Sequence, residues 1–321
     1  MTEQTGAIET GRPIEVRRSA GLWGDAFRRL LRNRLAIVGG ILVIFLLFVA
    51  VFGGFITPWE YFNQDLASVV ANRNRPLLPM QRIEGLDSVH ALGTDELGRD
   101  LLSRLMDGAR ISMSVALVVQ AVVLLIGIPV GAAAAWFGGR IDSILMRITD
   151  IVYAYPDLLF IILLGVAFRE TFFGRAMDGL LLVFVAIGLT SWVTMARLVR
   201  GQLLSLKETE FVEAARAIGV SDRRIVTRHL LPNALGPIIV AVTLGIPAAI
   251  LAEATLAFIG IGVQAPRASW GSLVADGQSY IRSFPHLVLF PAIAIAVALI
   301  SFTFLGDGLR DALDPKLKGK Q

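Results

Sequence analysis

The chain has 321 residues, 55% hydrophobic and only 17% charged, with 31 glycines, no cysteine and a formal net charge of +4. Soluble domains carry roughly 25% charged residues, and a mean hydropathy of +0.67 excludes both a water-soluble globule and a disordered chain. The missing cysteines exclude disulfides, zinc ribbons, iron–sulfur clusters and thiol nucleophiles, and the glycines lack the three-residue period of collagen.

Residues 1–34 form a polar leader carrying Arg12, Arg17, Arg18, Arg28, Arg29, Arg32 and Arg34. Leu35 to Ile56 follows without a charge; as a helix it is about 33 Å long, against a hydrocarbon core of about 30 Å. That run is longer than a signal-peptide core, and no small-x-small site follows before Thr57-Pro58-Trp59, so a retained anchor is expected. Residues 57–110 form the next loop, loose from Asn63 to Asp87 and then tighter from His90 onward. Thr94 is placed to cap a helix with Asp95 and Glu96 in its first turn. Leu97, Leu101 and Leu105 fall on one face, and Arg99, Asp100, Arg104 and Asp107 fall mostly on the other. This pattern suits an amphipathic helix lying on the membrane. The alternative is that Asp95, Asp100 or Arg104 lines a substrate entrance.

Residues 111–305 form the rest of the membrane core. Its apolar runs are Ile111–Phe137, Ile151–Phe168, Leu180–Ala196, Ile238–Val263 and Leu287–Leu305, which with the first make six spans. Pro156-Asp157 interrupts the third; a kink is expected there, with Asp157 as a structural bridge. Glu253 is the one charge in the fifth. A charge near the bilayer centre costs roughly 2.5–3.5 kcal/mol, so Glu253 either lines the pathway or gate or accepts hydrogen bonds from a neighbouring helix. Residues 306–321 form a tail.

Placing the leader inside also gathers the loop of Arg140 and Arg147, the segment Arg197–His229 and the tail on the cytoplasmic side, with twenty of the 30 Lys and Arg residues. Both termini are therefore expected in the cytoplasm. Residues 199–232 are the only long cytoplasmic loop. A short helix from Glu210 to Ile218 is expected to end at a left-handed Gly219. Ser221 then caps a second helix from Asp222 to about Leu230, which Pro232 stops. Phe211, Ala215 and Ile218 give this knob an apolar stripe suited to docking. The Ala215–Ser221 spacing also occurs in DNA-binding helix pairs, but the loop is too short for a supporting third helix, so no nucleic-acid partner is expected. His90, His229 and His286 lie in different loops at no ligand spacing, so no metal site is expected.

Glu213-Ala214-Ala215, Gly219 four positions later and Leu231-Pro232 resemble the EAA loop of ABC-importer permeases, with His229 where that pattern has isoleucine. Leu92-Gly-Thr-Asp-Glu-Leu-Gly-Arg-Asp-Leu-Leu-Ser-Arg, Ser269-Trp-Gly and Gly306-Asp-Gly-Leu-Arg-Asp-Ala-Leu-Asp-Pro resemble the oligopeptide/dipeptide branch, and within it the C-type permease. The resemblance runs from Leu22 to Lys318. It implies an all-α integral membrane protein of the type I importer kind, with six transmembrane helices and a cytoplasmic coupling loop at Glu213, Ala214, Ala215, Arg216, Gly219, Leu231 and Pro232. It also implies a sister permease, two ATPase subunits, an extracytoplasmic substrate-binding protein and peptide cargo, in a lipid bilayer that is a prokaryotic cytoplasmic membrane. ATP and magnesium would sit on the ATPases, since this chain has no Gly-x-x-x-x-Gly-Lys-Ser/Thr loop and no cofactor of its own. Permeases that resemble it also carry nickel chelates and some glycosides. An ion-coupled secondary transporter is the rival class, and it leaves the knob without a purpose.

Overall fold

The computed structural model describes residues 22–168 and 170–314, so the leader's first 21 residues and the last seven of the tail lie outside the described residues. Those described are helical apart from loops and two isolated β-bridges. In order the helices are α1 (Leu22–Leu30), α2 (Arg34–Ile56), α3 (Leu66–Ala71), α4 (Leu101–Phe137), α5 (Gly139–Ala154), α6 (Asp157–Phe168) and α7 (Phe172–Arg175). They continue with α8 (Leu180–Lys207), α9 (Glu210–Ala217), α10 (Asp222–Ile225), α11 (Leu231–Phe258), α12 (Trp270–Gly277) and α13 (His286–Leu313).

Five helical stretches, containing α2, α4, α8, α11 and α13, are long and apolar enough to cross a membrane; α5 and α6 together make a sixth, bent by 80°. The bend has a local cause. Tyr155 sits at φ −76°, ψ 134°, the extended conformation that a following proline imposes, and Pro156 supplies no amide to continue the ladder. Asp157 opens α6 exposed, where its charge suits the helix N-terminus. It makes no ion pair among the described residues, so the bridge expected of it is not formed.

Several boundaries differ from the sequence expectation for a common reason: the helices run past the apolar stretches into the polar layers. α4 begins ten residues before Ile111, α8 continues through Ala196 to Lys207, and α13 takes in the first eight residues of the expected tail. Ion pairs hold the polar overhang of α8. Arg200 makes a two-pronged bond to Asp142 at 2.6 Å per prong, and Arg197 reaches Asp150 at 2.7 Å while lying over the Tyr153 ring.

At the bundle's centre α4 packs along α8. Gly127, Gly131 and Ala135 recur every fourth residue and present a smooth strip. A Cβ at Gly127 would lie 2.7 Å from that of Met195, and one at Gly131 would collide with the Ala196 carbonyl. In lipid, helices gain no hydrophobic drive toward one another, so close approach through small residues supplies the attraction. Gly39 does the same for α2 on α13, where a Cβ would fall 2.7 Å from the Ser301 carbonyl.

Replacing Gly131 with leucine should therefore lower the thermal transition of the purified chain by roughly 5 °C or more, from an overpacking cost of about 1–3 kcal/mol. Gly54→Leu, at a glycine with open space around it, should leave the transition unchanged. Equal transitions for the two variants would refute the close-approach account.

Candidate functional site

The two-helix knob begins where α8 ends at Lys207. Thr209 sits at the N-cap of α9 and Glu210 and Glu213 fall in its first turn, where the helix dipole favours them. Val212 and Ala215 are buried and pin α9 to the bundle. Phe211, Glu213, Ala214, Arg216 and Ile218 face outward, Ile218 with 81% of its surface exposed. The outward apolar stripe is therefore Phe211, Ala214 and Ile218, and Ala215 belongs to the opposite, inward face. Gly219 adopts φ +77°. Its amide donates to the Arg216 carbonyl at 2.9 Å, and the Val220 amide donates to the Ala215 carbonyl at 3.0 Å, a Schellman closure.

Ser221 occupies the next N-cap, though its hydroxyl makes no capping bond. Pro232 does not stop the helix that follows. The chain stays helical from α10 through a π-turn at Val226–Leu230 into α11, with Pro232 in that helix's first turn. The π-turn shifts the hydrogen-bond register, the Leu231 amide donating to the Val226 carbonyl five residues back, and proline is tolerated in the first turn of the helix that follows. Pro232 is exposed and Leu231 half-buried.

On the other side of the membrane the expected surface helix from Thr94 is absent. Asp95 Oδ1 accepts from the amides of Leu97 and Arg99, both at 2.9 Å, which folds 95–99 into a tight turn. Thr94 instead accepts from the Leu77 amide. Asp100 is the cap: its Oδ2 accepts from the Ser103 amide at 2.8 Å, and α4 starts at Leu101. The charged face is not turned to water either. Asp95, Arg99, Asp100, Arg104 and Asp107 are all buried, beneath the preceding loop and α12.

Their charges are met within the chain. Arg99 pairs with Asp95 at 2.7 Å; Arg104 lies 3.4 Å from Asp95 and 3.2 Å from Asp276; Arg267 pairs with Asp107 at 2.8 Å. His90 lies between Asp100 (Nδ1, 2.8 Å) and Asp65 (Nε2, 3.3 Å), stacked against Trp59. Removing one partner from such a buried set costs about 3–5 kcal/mol, so this cluster holds the loop of residues 57–100 on the bundle. Asp95 and Arg104 thus share one ion set with Arg99 and Asp276, while Asp100 belongs to a second with His90 and Asp65; Asp95 lies in the turn, Asp100 at the cap and only Arg104 on the helix.

Glu253 is 1% exposed. The Ser112 hydroxyl of α4 donates to its Oε2 at 3.3 Å and itself accepts from the Trp270 amide. Trp270 Nε1 donates to the Leu105 carbonyl at 3.0 Å. Glu253 therefore braces α4, α11 and the start of α12. Sequence reasoning missed His90, Asp276 and Arg267 in the outer network, because their partners are distant in the chain. It also missed Trp136 and Lys207 beside the knob, where Lys207 donates to the Ala135 and Trp136 carbonyls at the end of α4. A Lys placed three residues before α9 was the one local signal.

Residues 127–319 match the family model described as binding-protein-dependent transport system inner membrane component, and residues 21–76 match the N-terminal TM domain of oligopeptide transport permease C. The chain is 40% identical to the oligopeptide transport system permease protein OppC of Bacillus subtilis (strain 168), covering 94% of this chain and 92% of that protein. It is 44% identical to the dipeptide transport system permease protein DppC of the same organism, covering 92% and 86%. It is also 44% identical to OppC of Salmonella typhimurium, covering 92% and 91%. Its fold is similar to that of a chain in inward-facing structures of the MetNI methionine ABC transporter, with a TM-score of 0.54 and 21% identity over 65% of this chain and 96% of that one.

The His90 bridge carries a pH signature. Burial works against the imidazolium, but hydrogen bonds to Asp100 and Asp65 and their charges outweigh it and raise His90 above its ordinary 6.5. Its stabilisation is complete below 6.5 and fades as pH rises through the higher folded value. Asp65 is held at about 2: burial raises it, and hydrogen bonds from Ser68, Ser88 and His90 lower it further. Its contribution is present above 3.8 and lost as pH falls through about 2. Raising pH from about 6 to about 9 should lower the thermal transition of the chain. His90→Gln should start lower and show no such step; an unchanged pH profile in that variant would discard the bridge.

Proposed function

Because the chain belongs to the binding-protein-dependent transport system inner membrane component family, we propose that it is one of two permease subunits of an ATP-driven importer whose cargo is peptide. It is a multi-pass membrane protein and a permease component. The peptide assignment is supported by relatives named for oligopeptide and dipeptide transport that are 40–44% identical over more than nine-tenths of this chain. On this reading the translocation path lies between this chain and a sister permease, and an extracytoplasmic binding protein delivers the cargo. ATP and magnesium are bound and used on two separate cytoplasmic subunits, and this chain is not itself an enzyme. The bias of Lys and Arg supports cytoplasmic termini in a prokaryotic inner membrane.

The observation that carries the coupling role is the exposed face of α9. Phe211, Ala214 and Ile218 form an apolar strip with Glu213 beside it, on a helix pinned by Val212 and Ala215. An apolar strip with an acidic edge, facing the cytoplasm on a closed two-helix knob, suits a protein partner whose groove is rimmed by basic groups. Closure of the ATPases on nucleotide then pushes α9, and the spans reorient around the cargo.

In liposomes containing the assembled complex and its binding protein, peptides should stimulate ATP hydrolysis more than a nickel chelate or an oligosaccharide does. Stimulation by nickel or sugar alone would discard the peptide assignment and keep the importer. Glu213→Arg should cut peptide uptake by about tenfold or more, as expected for a buried charge pair turned repulsive, while the isolated ATPases still hydrolyse. Normal uptake in that variant would overturn the docking role of α9.

A further inference from the structure

α4 and α8 end side by side at the face that carries α9, and one side chain there touches all three. The Lys207 ammonium lies 5.4 Å from the centre of the Trp136 ring, and the Arg216 guanidinium lies 5.2 Å from it. Both are within the range at which a cation is held by an aromatic face. Lys207 is also fixed by the last carbonyls of α4, donating to Ala135 at 3.2 Å and Trp136 at 2.9 Å, where the negative end of the helix dipole favours it. Arg216 stands in α9 directly after Glu213-Ala214-Ala215 and makes no ion pair among the described residues.

We propose that Trp136 is a positioning residue of the coupling step, transmitting the displacement of α9 to the end of α4 through its contacts with Arg216 and Lys207. The proposal rests on the reading of α9 as the ATPase-docking helix. Val212 and Ala215 seat α9 by apolar contact, which is non-directional and lets a helix slide. A cation held over a ring has a preferred place, so movement along the interface is resisted and passed on. The ring has a second effect. Lys207 and Arg216 are both cationic and converge on one spot, and without the π face they would repel and drive α9 away from α4. α4 in turn is locked to α8 at Gly127 and Gly131, so a push delivered at Trp136 moves the pair together.

The test uses the full complex in liposomes, with three readouts: retention of the ATPases on purification, peptide uptake, and ATP hydrolysed per peptide. Trp136→Leu keeps apolar bulk and removes the π face; it should retain the ATPases and raise ATP per peptide about three- to tenfold, the scale of one or two such contacts. Trp136→Tyr, which keeps a face, should stay within about twofold of the natural chain. Arg216→Met should raise the ratio less than Trp136→Leu, because Lys207 keeps its contact with the ring and no repulsion is unmasked, and the double variant should be no worse than Trp136→Leu alone. An unchanged ratio in Trp136→Leu with the ATPases bound would overturn the proposal and leave the docking role intact. So would a Tyr variant as poor as the Leu variant, which would make bulk the relevant property, or additive losses in the double variant. Failure of the natural chain to retain ATPases would remove the docking role itself.

Discussion

The arrangement depends first on two backbones being allowed to meet. Inside a bilayer the lipid tails are as apolar as leucine, so helices must find their attraction in close van der Waals fit. α4 supplies that fit with Gly127, Gly131 and Ala135 on one strip, and α8 answers with Met195, Ala196 and Val199, all buried. The other spans assemble around this pair. α11 is braced to α4 through Glu253 and Ser112, and α2 and α13 pair through their own glycines on the far side. A bulky residue in the central strip would separate the pair on which both ends of the molecule are built.

The two ends handle charge in opposite ways. At the end where α4 starts, polar side chains are turned inward and paired with one another, so Arg104, Asp100 and His90 are almost wholly covered. Buried ion sets of this kind gain little net stability, yet they fix geometry because any misplaced partner leaves a charge stranded. At the end that carries α9, ion pairs such as Arg200–Asp142 are only partly covered, and Glu213 is left outward with the exposed strip of α9. One end pairs its charges within the chain, though Arg104 Nε and Nη1 and Asp107 Oδ2 keep no hydrogen-bond partner there, while the other leaves Glu213 and the strip of α9 exposed.

The spans were legible because a bilayer demands one property, sustained apolarity, that a sequence displays directly. The knob was legible for a different reason: Gly219 marks a left-handed residue, and the closing bonds at Val220 and Ala215 follow from it locally. The outer loop was not. Thr94 and Asp100 are both competent caps, and the choice fell to Asp100 because Asp95 had already claimed the intervening amides for a turn. The alternation of leucine and charge from Leu97 to Asp107 looked like a helix lying on a surface, yet the covering groups come from Asp65, Arg267 and Asp276, far away in sequence. Pro232 misled similarly, since a π-turn upstream shifted the register and let the helix continue.

α4 runs as one helix, with Pro129 inside it, from the ion network at its start to the ring of Trp136 at its end, 37 residues or about 55 Å. A helix turns about 100° with each residue, so its two ends are held in phase as well as at a distance. Adding or deleting one residue anywhere along α4 would leave each end's chemistry intact and aim one of them a quarter-turn or more away from its partners. The loop from 57 to 100 carries no such phase relation and can vary in length. Insertions and deletions among chains of this architecture should therefore be confined to the loops, with the residue count between Asp100 and Trp136 conserved even where the side chains between them change.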